Sequence, residues 1–147
     1  MTRGRVLVVA ILGFAALFGA ALWWFQTFAF YERQSGTGAL RVAGAVVPVA
    51  DYEGIDATTS PLKLRGCFRV DPAAFAAAAP APAPTPLVAP FWFGCFDAGA
   101  ITADLAAGRA RAYDLRYPEP DGFDTLVAIY PDGRGFLWRQ LGADYAG

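Results

Sequence analysis

The longest apolar stretch of the chain runs from Val6 to Phe25. It reads VLVVAILGFAALFGAALWWF and contains no charged side chain. Twenty residues of α-helix rise about 30 Å, which matches the hydrocarbon core of a bilayer. We interpret residues 6–30 as a transmembrane signal-anchor helix that follows a cytoplasmic tail at residues 1–5. A cleaved signal peptide is the alternative, although the apolar core of such a peptide is usually about 7 to 15 residues long.

The residues that flank this stretch predict its orientation. Arg3 and Arg5 precede it on a short tail. Trp23, Trp24 and Tyr31 suit an aromatic belt at the opposite membrane interface. We therefore expect a single-pass protein with its N-terminus in the cytoplasm and its C-terminal domain exported to the other side of the membrane. Basic residues also follow the stretch, so the charge bias is small.

Small residues recur within the apolar stretch. Gly13, Ala16 and Ala20 are spaced by three and four residues. On a helix this spacing places them on one face, where they would let a second helix approach closely. The alternative is an alanine-rich composition that scatters small residues without a role in packing.

Beyond the helix, the pattern changes to short segments typical of a small domain. Residues 31–38, YERQSGTG, are polar and predict a juxtamembrane linker, so the domain itself is expected over residues 39–147. Residues 39–50 predict a strand that is interrupted near Pro48. Residues 51–61 are rich in acidic and turn-forming residues and predict a loop.

The clearest alternation of apolar and polar residues lies in residues 62–70, LKLRGCFRV. It predicts a strand with Leu62, Leu64, Phe68 and Val70 on one face and Lys63, Arg65, Cys67 and Arg69 on the other. The cations Lys63, Arg65 and Arg69 are a possible contact face for anionic lipid or for an acidic partner. The alternative is that they form the solvated side of a sheet.

The following residues predict two short helices on either side of a connector. Asp71 precedes a helix predicted over residues 72–79, and Asp97 precedes another that continues to Gly108. Residues 80–90, PAPAPTPLVAP, contain five prolines and predict an extended, semi-rigid connector. A docking site for a domain that reads proline motifs is the alternative.

The last third of the domain predicts strands. Residues 110–117 alternate, and residues 125–130 are apolar on both faces, as expected for a central strand. The turn PDGRG leads from this strand into residues 136–141, which completes a hairpin. Taken together, the patterns predict an α+β fold: one N-terminal transmembrane helix, then a small mixed domain with about five strands and two short helices.

Charge and composition exclude several function classes. Twelve basic residues oppose thirteen acidic ones, and acids are in excess beyond the helix, so we expect no binding to nucleic acid. Histidine is absent and the only methionine is Met1. Hydrolases with a Ser-His-Asp triad, histidine-dependent zinc enzymes and haem proteins with the usual axial ligands are thereby excluded. We expect no catalytic residue, no metal site and no cofactor.

Two groups of carboxylates could in principle hold Ca²⁺ or act as an acid and base pair. Asp51, Glu53 and Asp56 form one group, and Asp121 with Asp124 forms the other. Neither group matches the spacing of a calcium-binding loop, so we interpret both as solvated loop residues.

Cys67 and Cys95 are the only cysteines. A disulfide between them is expected if the domain is exported to an oxidising compartment. Closing a loop of this length would stabilise the fold by about 3.5 kcal/mol in the chain-entropy model. The alternative is a reactive thiol, because the basic residues around Cys67 would lower its pKa.

Three segments carry a resemblance to a known family. They are DYEGIDATTSPLKLRGCF (51–68), FWFGCFDA (91–98) and YPDGRGFLWRQL (130–141). On these segments the chain resembles an uncharacterised family of small, single-span membrane proteins of photosynthetic and related alphaproteobacteria, and the likeness extends over nearly the whole chain, helix included. Members are sometimes labelled histidine kinase, which a chain without histidine contradicts. The resemblance implies an anchored topology in a bacterial inner membrane, and it implies no activity or substrate.

The leading hypothesis is a non-enzymatic, membrane-anchored periplasmic domain. It would act as an accessory or assembly subunit of a larger respiratory or photosynthetic complex of the inner membrane, with membrane lipid as its second contact. The alternatives are a thiol-redox assembly factor that uses Cys67 and Cys95, and a free-standing binding module of the envelope. The sequence identifies no small-molecule ligand.

Overall fold

The computed structural model describes residues 1–118 and 120–145. The chain divides into two units, residues 1–30 and the residues from Tyr31 onward. The first unit consists mainly of helix α1, Arg3–Thr27, and the side chain of Thr2 caps this helix by accepting a hydrogen bond from the Arg5 N–H. None of the residues of α1 is buried. Within the described residues, α1 is the one helix long and apolar enough to cross a membrane.

The length and composition of α1 agree with the predicted apolar helix. Its 25 residues span about 37 Å at the usual rise per residue. Such a helix near the N-terminus is compatible with a single-pass membrane anchor, and it is equally compatible with a signal sequence.

The second unit is built on one antiparallel sheet. Among the described residues its strands are β1 (Tyr31–Val42), β2 (Ala45–Ala57), β3 (Arg65–Arg69), β4 (Ala79–Pro80), β5 (Arg111–Asp114), β6 (Phe123–Ile129) and β7 (Arg134–Leu141). Their order across the sheet is β1-β2-β3-β7-β6-β5-β4, and every neighbouring pair is antiparallel. Helix α2, Ala98–Ala106, and two short 3₁₀ helices, Pro61–Lys63 and Pro72–Phe75, complete the elements. The predicted α+β class is confirmed, with seven strands instead of about five.

The first hairpin accounts for most of the difference from the prediction. Residues 31–38 were predicted as a linker but form the first part of β1, and residues 51–57 were predicted as a loop but belong to β2. The chain reverses at Ala43 and Gly44, whose φ angles of 49° and 82° fit a two-residue hairpin turn. Alanine is a rare residue at such a position, so the sequence did not indicate the turn. The polar residues of both strands are mostly exposed, and their sequence therefore resembles that of a linker.

The predicted strand at residues 62–70 and helix at residues 72–79 are both shorter than expected. Pro61 begins a 3₁₀ turn, so β3 starts only at Arg65. Asp71 caps the next element as predicted, because its Oδ1 accepts a hydrogen bond from the Ala73 N–H at 3.0 Å. That element is a single 3₁₀ turn, which buries Phe75 and is separated from β4 by residues 76–78.

The prediction for α2 is confirmed. Asp97 caps it, with Oδ1 accepting a hydrogen bond from the Ala100 N–H at 3.0 Å, and Ile101 is its buried apolar residue. The hairpin of β6 and β7 also agrees with the prediction. Strand β6 lies between β7 and β5, and Val127 and Ala128 are both fully buried although they point to opposite faces.

The sheet therefore has an apolar layer on each face. The first layer lies around Phe68, Phe75, Val127 and Leu137. The second layer contains Cys67, Phe96, Ala98, Ile101, Leu126, Ala128 and Trp138. Residues 81–97 also contribute to the second layer. They connect β4 to α2 without regular secondary structure, and we call them the crossover segment. Loops of this length are uncommon in a small domain unless they have a function or are firmly held.

Gly135 is required by the close approach of a phenylalanine ring. It pairs with Phe68 across β3 and β7, and a Cβ at this position would overlap the Phe68 ring. We therefore expect Gly135→Ala to lower the free energy of unfolding by about 1–3 kcal/mol, measured by denaturant titration of the full-length protein in detergent. Gly94→Ala is the control, because its Cβ would meet no heavy atom within 4 Å. Equal stability of the two variants would contradict this description of the core.

Candidate functional site

The two cysteines are joined by a disulfide. The Cα atoms of Cys67 and Cys95 are 6.3 Å apart, and the residues are separated by 28 positions in sequence. Cys67 lies in β3 near the middle of the sheet and is 9% exposed, whereas Cys95 lies in the crossover segment. The bond thus confirms the predicted pairing and fixes the end of the crossover segment to the sheet. In the chain-entropy model a loop of this size contributes about 3.5 kcal/mol.

Arg65 holds the middle of the same segment. It precedes Cys67 by two residues in β3 and is only 5% exposed. Its guanidinium donates hydrogen bonds to the carbonyls of Leu62 and Leu64, both at 2.6 Å. It also donates to the carbonyl of Leu87 at 2.9 Å and to that of Val88 at 3.2 Å, both in the crossover segment. One buried cation therefore satisfies backbone carbonyls of two separate stretches of chain.

The charge of Arg65 is retained in this environment. Burial lowers the pKa of the guanidinium to about 10, which still leaves it protonated at neutral pH. The ring of Phe96 lies 5.8 Å from the guanidinium carbon. A buried charge is tolerated only when it is hydrogen-bonded. The crossover segment supplies two of the acceptors, so Arg65 stabilises the segment in the position where these carbonyls reach the guanidinium.

The predicted basic face is not formed, because its three cations lie in different environments. Arg65 is in the interior, where the carbonyls of the crossover segment provide partners for it. Lys63 belongs to the 3₁₀ turn, with its Nζ 4.9 Å from the centre of the Tyr31 ring. Arg69 is at the exposed end of β3. Alternation along the strand could not reveal this, because residues 81–97 cover the face that was expected to be solvated.

Gln140 holds the first half of the crossover segment. Its Oε1 accepts hydrogen bonds from the Thr85 N–H at 2.7 Å and from the Trp138 Nε1–H at 3.1 Å. Its Nε2 donates to the carbonyl of Ala83 at 3.0 Å. The predicted proline-rich connector, residues 80–90, is thus attached to the sheet at several points instead of crossing it freely.

Between the crossover segment and the sheet lies a pocket of about 290 Å³. Its apolar walls include Leu62, Ala83, Leu87 and Leu126. The crossover segment supplies one side of the pocket, and β5, β6 and β7 supply the other. A mainly apolar pocket with a few polar groups is the usual form of a site for a small molecule.

Two aspartates provide the charge in this pocket. Asp114 in β5 pairs with Leu126, and Asp124 lies two residues before Leu126 in β6, so both carboxylates are on the same face of the sheet. Neither carboxylate forms an ion pair with another described residue. Burial raises the pKa of Asp124, and the negative charge of Asp114 raises it further. Asp114 accepts a hydrogen bond from the Arg116 N–H at 2.8 Å.

A known protein family matches the part of the chain that contains this pocket. A sequence model of a family of unknown function matches residues 37–146. The chain belongs to the DUF6446 family. The match begins inside β1 and leaves out α1, although we expected the likeness to include the helix. No curated protein and no solved structure matches the chain significantly.

The matched residues of the DUF6446 domain include the disulfide, Arg65 and the pocket. Of these features, the sequence indicated the disulfide correctly. It placed Asp124 in a solvated loop, whereas Asp124 lies in β6 and faces the pocket. The roles of Asp114 and Gln140 were missed, because a single polar residue on an alternating strand resembles any other solvent-facing position.

The predicted interface residues lie in α1, except for Tyr31, which lies in β1 before the residues that the family matches. Gly13, Ala16 and Ala20 are exposed on α1, as are Trp23 and Trp24. Tyr31 is in β1, and its ring contacts that of Trp92 at a centroid distance of 5.3 Å. The roles of these residues at a membrane and in helix packing remain predictions.

The described part of the DUF6446 domain contains no group of three or more His, Cys, Asp or Glu side chains arranged to hold a metal ion. The pocket combines an apolar cavity, two carboxylates without an ion pair to another described residue, and a wall that Gln140 and Arg65 hold by hydrogen bonds.

Arg65→Met should destabilise the DUF6446 domain strongly. It removes hydrogen bonds from four carbonyls and releases the middle of the crossover segment. We expect the free energy of unfolding to fall by about 2–4 kcal/mol, measured by denaturant titration of the full-length protein in detergent. The control is Arg69→Met on the same strand, which is exposed and should change stability by less than about 0.5 kcal/mol. A loss at Arg65 no larger than that at Arg69 would show that the buried guanidinium is not needed.

Proposed function

We propose that this protein is a non-enzymatic, membrane-anchored domain of the bacterial envelope that serves as an accessory or assembly subunit of a larger inner-membrane complex. Helix α1 anchors it with the N-terminus in the cytoplasm, and the DUF6446 domain lies in the periplasm. A respiratory or photosynthetic complex is the host that we would examine first.

The short connection between α1 and β1 is the observation that carries this proposal. Only Phe28, Ala29 and Phe30 separate the end of the helix from the first strand. Four steps along the chain span at most about 15 Å, so the beginning of β1 stays close to the membrane surface if α1 spans the bilayer. A domain with so little reach is suited to a partner in the same membrane, whereas the predicted eight-residue linker would have allowed wider movement.

Two further features support the location and the partner. A disulfide between two cysteines of a bacterial domain is expected in the periplasm and not in the reducing cytoplasm. On α1, the small residues Gly13, Ala16 and Ala20 offer a surface on which a helix of the partner could pack.

The structure gives less support to a thiol-redox factor. Cys67 is 9% exposed and both cysteines of the chain are used in the one disulfide. Redox-active disulfides usually expose a sulfur to the incoming thiolate, and a resolving cysteine is often close by. The pocket agrees with the other alternative, a binding module of the envelope. A binding module could also be a subunit of a larger complex.

Co-purification from native membranes tests the subunit role. The full-length protein, tagged at its chromosomal locus and extracted in mild detergent, should elute with larger membrane proteins in fixed stoichiometry. The variant Gly13→Leu with Ala16→Leu should lose these partners, because bulky side chains prevent close helix packing. The control variant Phe14→Leu with Phe18→Leu changes two large side chains on the opposite face of the helix and should retain them. Elution of the unmodified protein as a lone monomer would refute the proposal.

A further inference from the structure

We propose that the pocket between the crossover segment and the sheet binds a small apolar molecule that carries one amino group, with the ammonium between Asp114 and Asp124 and the apolar body against the leucine walls. This inference goes beyond the subunit role and does not depend on it.

The size of the pocket limits the guest to a small molecule. Its volume of about 290 Å³ is near the lower end of the range for ligand pockets, which is about 300–1,000 Å³. A compound with one aromatic ring and a short side chain suits a pocket of this size, whereas a folded partner would not fit inside.

The charge of the pocket selects a cation. Among the described residues that line it, Asp114 and Asp124 are the ionisable ones, and none of the lining residues is Lys or Arg. An ammonium group would compensate the two carboxylates, whereas an anionic guest would meet like charges in a partly desolvated space. The raised pKa of Asp124 has the same origin, namely burial and the neighbouring charge of Asp114.

The two carboxylates are the charged hydrogen-bond acceptors of the pocket lining. The side-chain acceptor of Gln140 is already occupied, since its Oε1 accepts two hydrogen bonds. Asp114 and Asp124 each retain lone pairs beyond the backbone N–H groups that they accept. Because they are diagonal neighbours on adjacent strands, their backbones are about 7–8 Å apart, which leaves room for one ammonium between the two side chains.

The crossover segment makes the pocket a pre-formed site. Gln140 fixes this wall next to Ala83, and Arg65 fixes it at Leu87. Both Ala83 and Leu87 line the pocket. A guest would therefore enter a cavity whose walls are already held in place, which reduces the entropic cost of binding.

A series of three probes of nearly equal shape tests the proposal. The full-length protein in lipid nanodiscs is titrated with 2-phenylethylamine, 2-phenylethanol and phenylacetate, and empty nanodiscs of the same lipid correct for partitioning. Binding is followed by calorimetry or by ligand-observed NMR. We expect the amine to bind about tenfold more tightly than the alcohol at neutral pH, and the carboxylate to show no binding.

Substitutions then locate the binding. Asp114→Asn and Asp124→Asn should each reduce amine affinity at least about fivefold and leave the alcohol unaffected. Ala83→Phe should exclude all three probes by filling the cavity. Asp51→Asn is the matched control, because Asp51 is exposed, does not line the pocket and has a φ of 52° that asparagine also tolerates.

The probe series decides the question even if a variant fails to fold. Equal affinity for amine and alcohol, a preference for the carboxylate, or no binding of the amine would each overturn the proposal. Unchanged amine affinity in a folded Asp124→Asn variant would also overturn it, because the amine would then bind elsewhere. Since none of these titrations requires a partner complex, the outcome is independent of the co-purification result.

Discussion

The disulfide between Cys67 and Cys95 is the constraint on which the second face of the sheet depends. Residues 81–97 have no helix or strand of their own, so their backbone polar groups need partners elsewhere. The disulfide fixes the end of this segment to β3, and the carbonyls along it then meet Arg65 and Gln140. Without the covalent bond, the entropy of a long irregular connection would oppose this arrangement.

The same constraint unites the features that suggest a function. The crossover segment covers one side of a cavity that would otherwise be an open sheet surface, and Asp114 and Asp124 are part of the lining of this cavity. It also explains why Arg65 is in the interior, since the segment brings two carbonyls to it. A domain stabilised by a disulfide suits an oxidising compartment.

Periodicity predicted the elements in which one physical signal dominates. The long apolar helix, the capped helix α2 and the hairpin of β6 and β7 all follow from local patterns. The β1–β2 hairpin was missed because its turn uses Ala43 and its strands are polar at the edge of the sheet. The environment of Arg65 and the pocket were missed for another reason: both depend on which remote segment covers a strand, and alternation within the strand contains no information about that.

The redox state of the two cysteines in native membranes is the most direct test of this structure. Membranes are prepared with a fast alkylating agent present throughout, the protein is denatured without reductant, and bound label is counted by mass spectrometry. We predict no label on Cys67 or Cys95 before reduction and label on both after it, with the disulfide-linked peptide recovered from the unreduced sample. Two alkylated cysteines in the unreduced, membrane-bound protein would contradict both the structure of the crossover segment and the proposed periplasmic location.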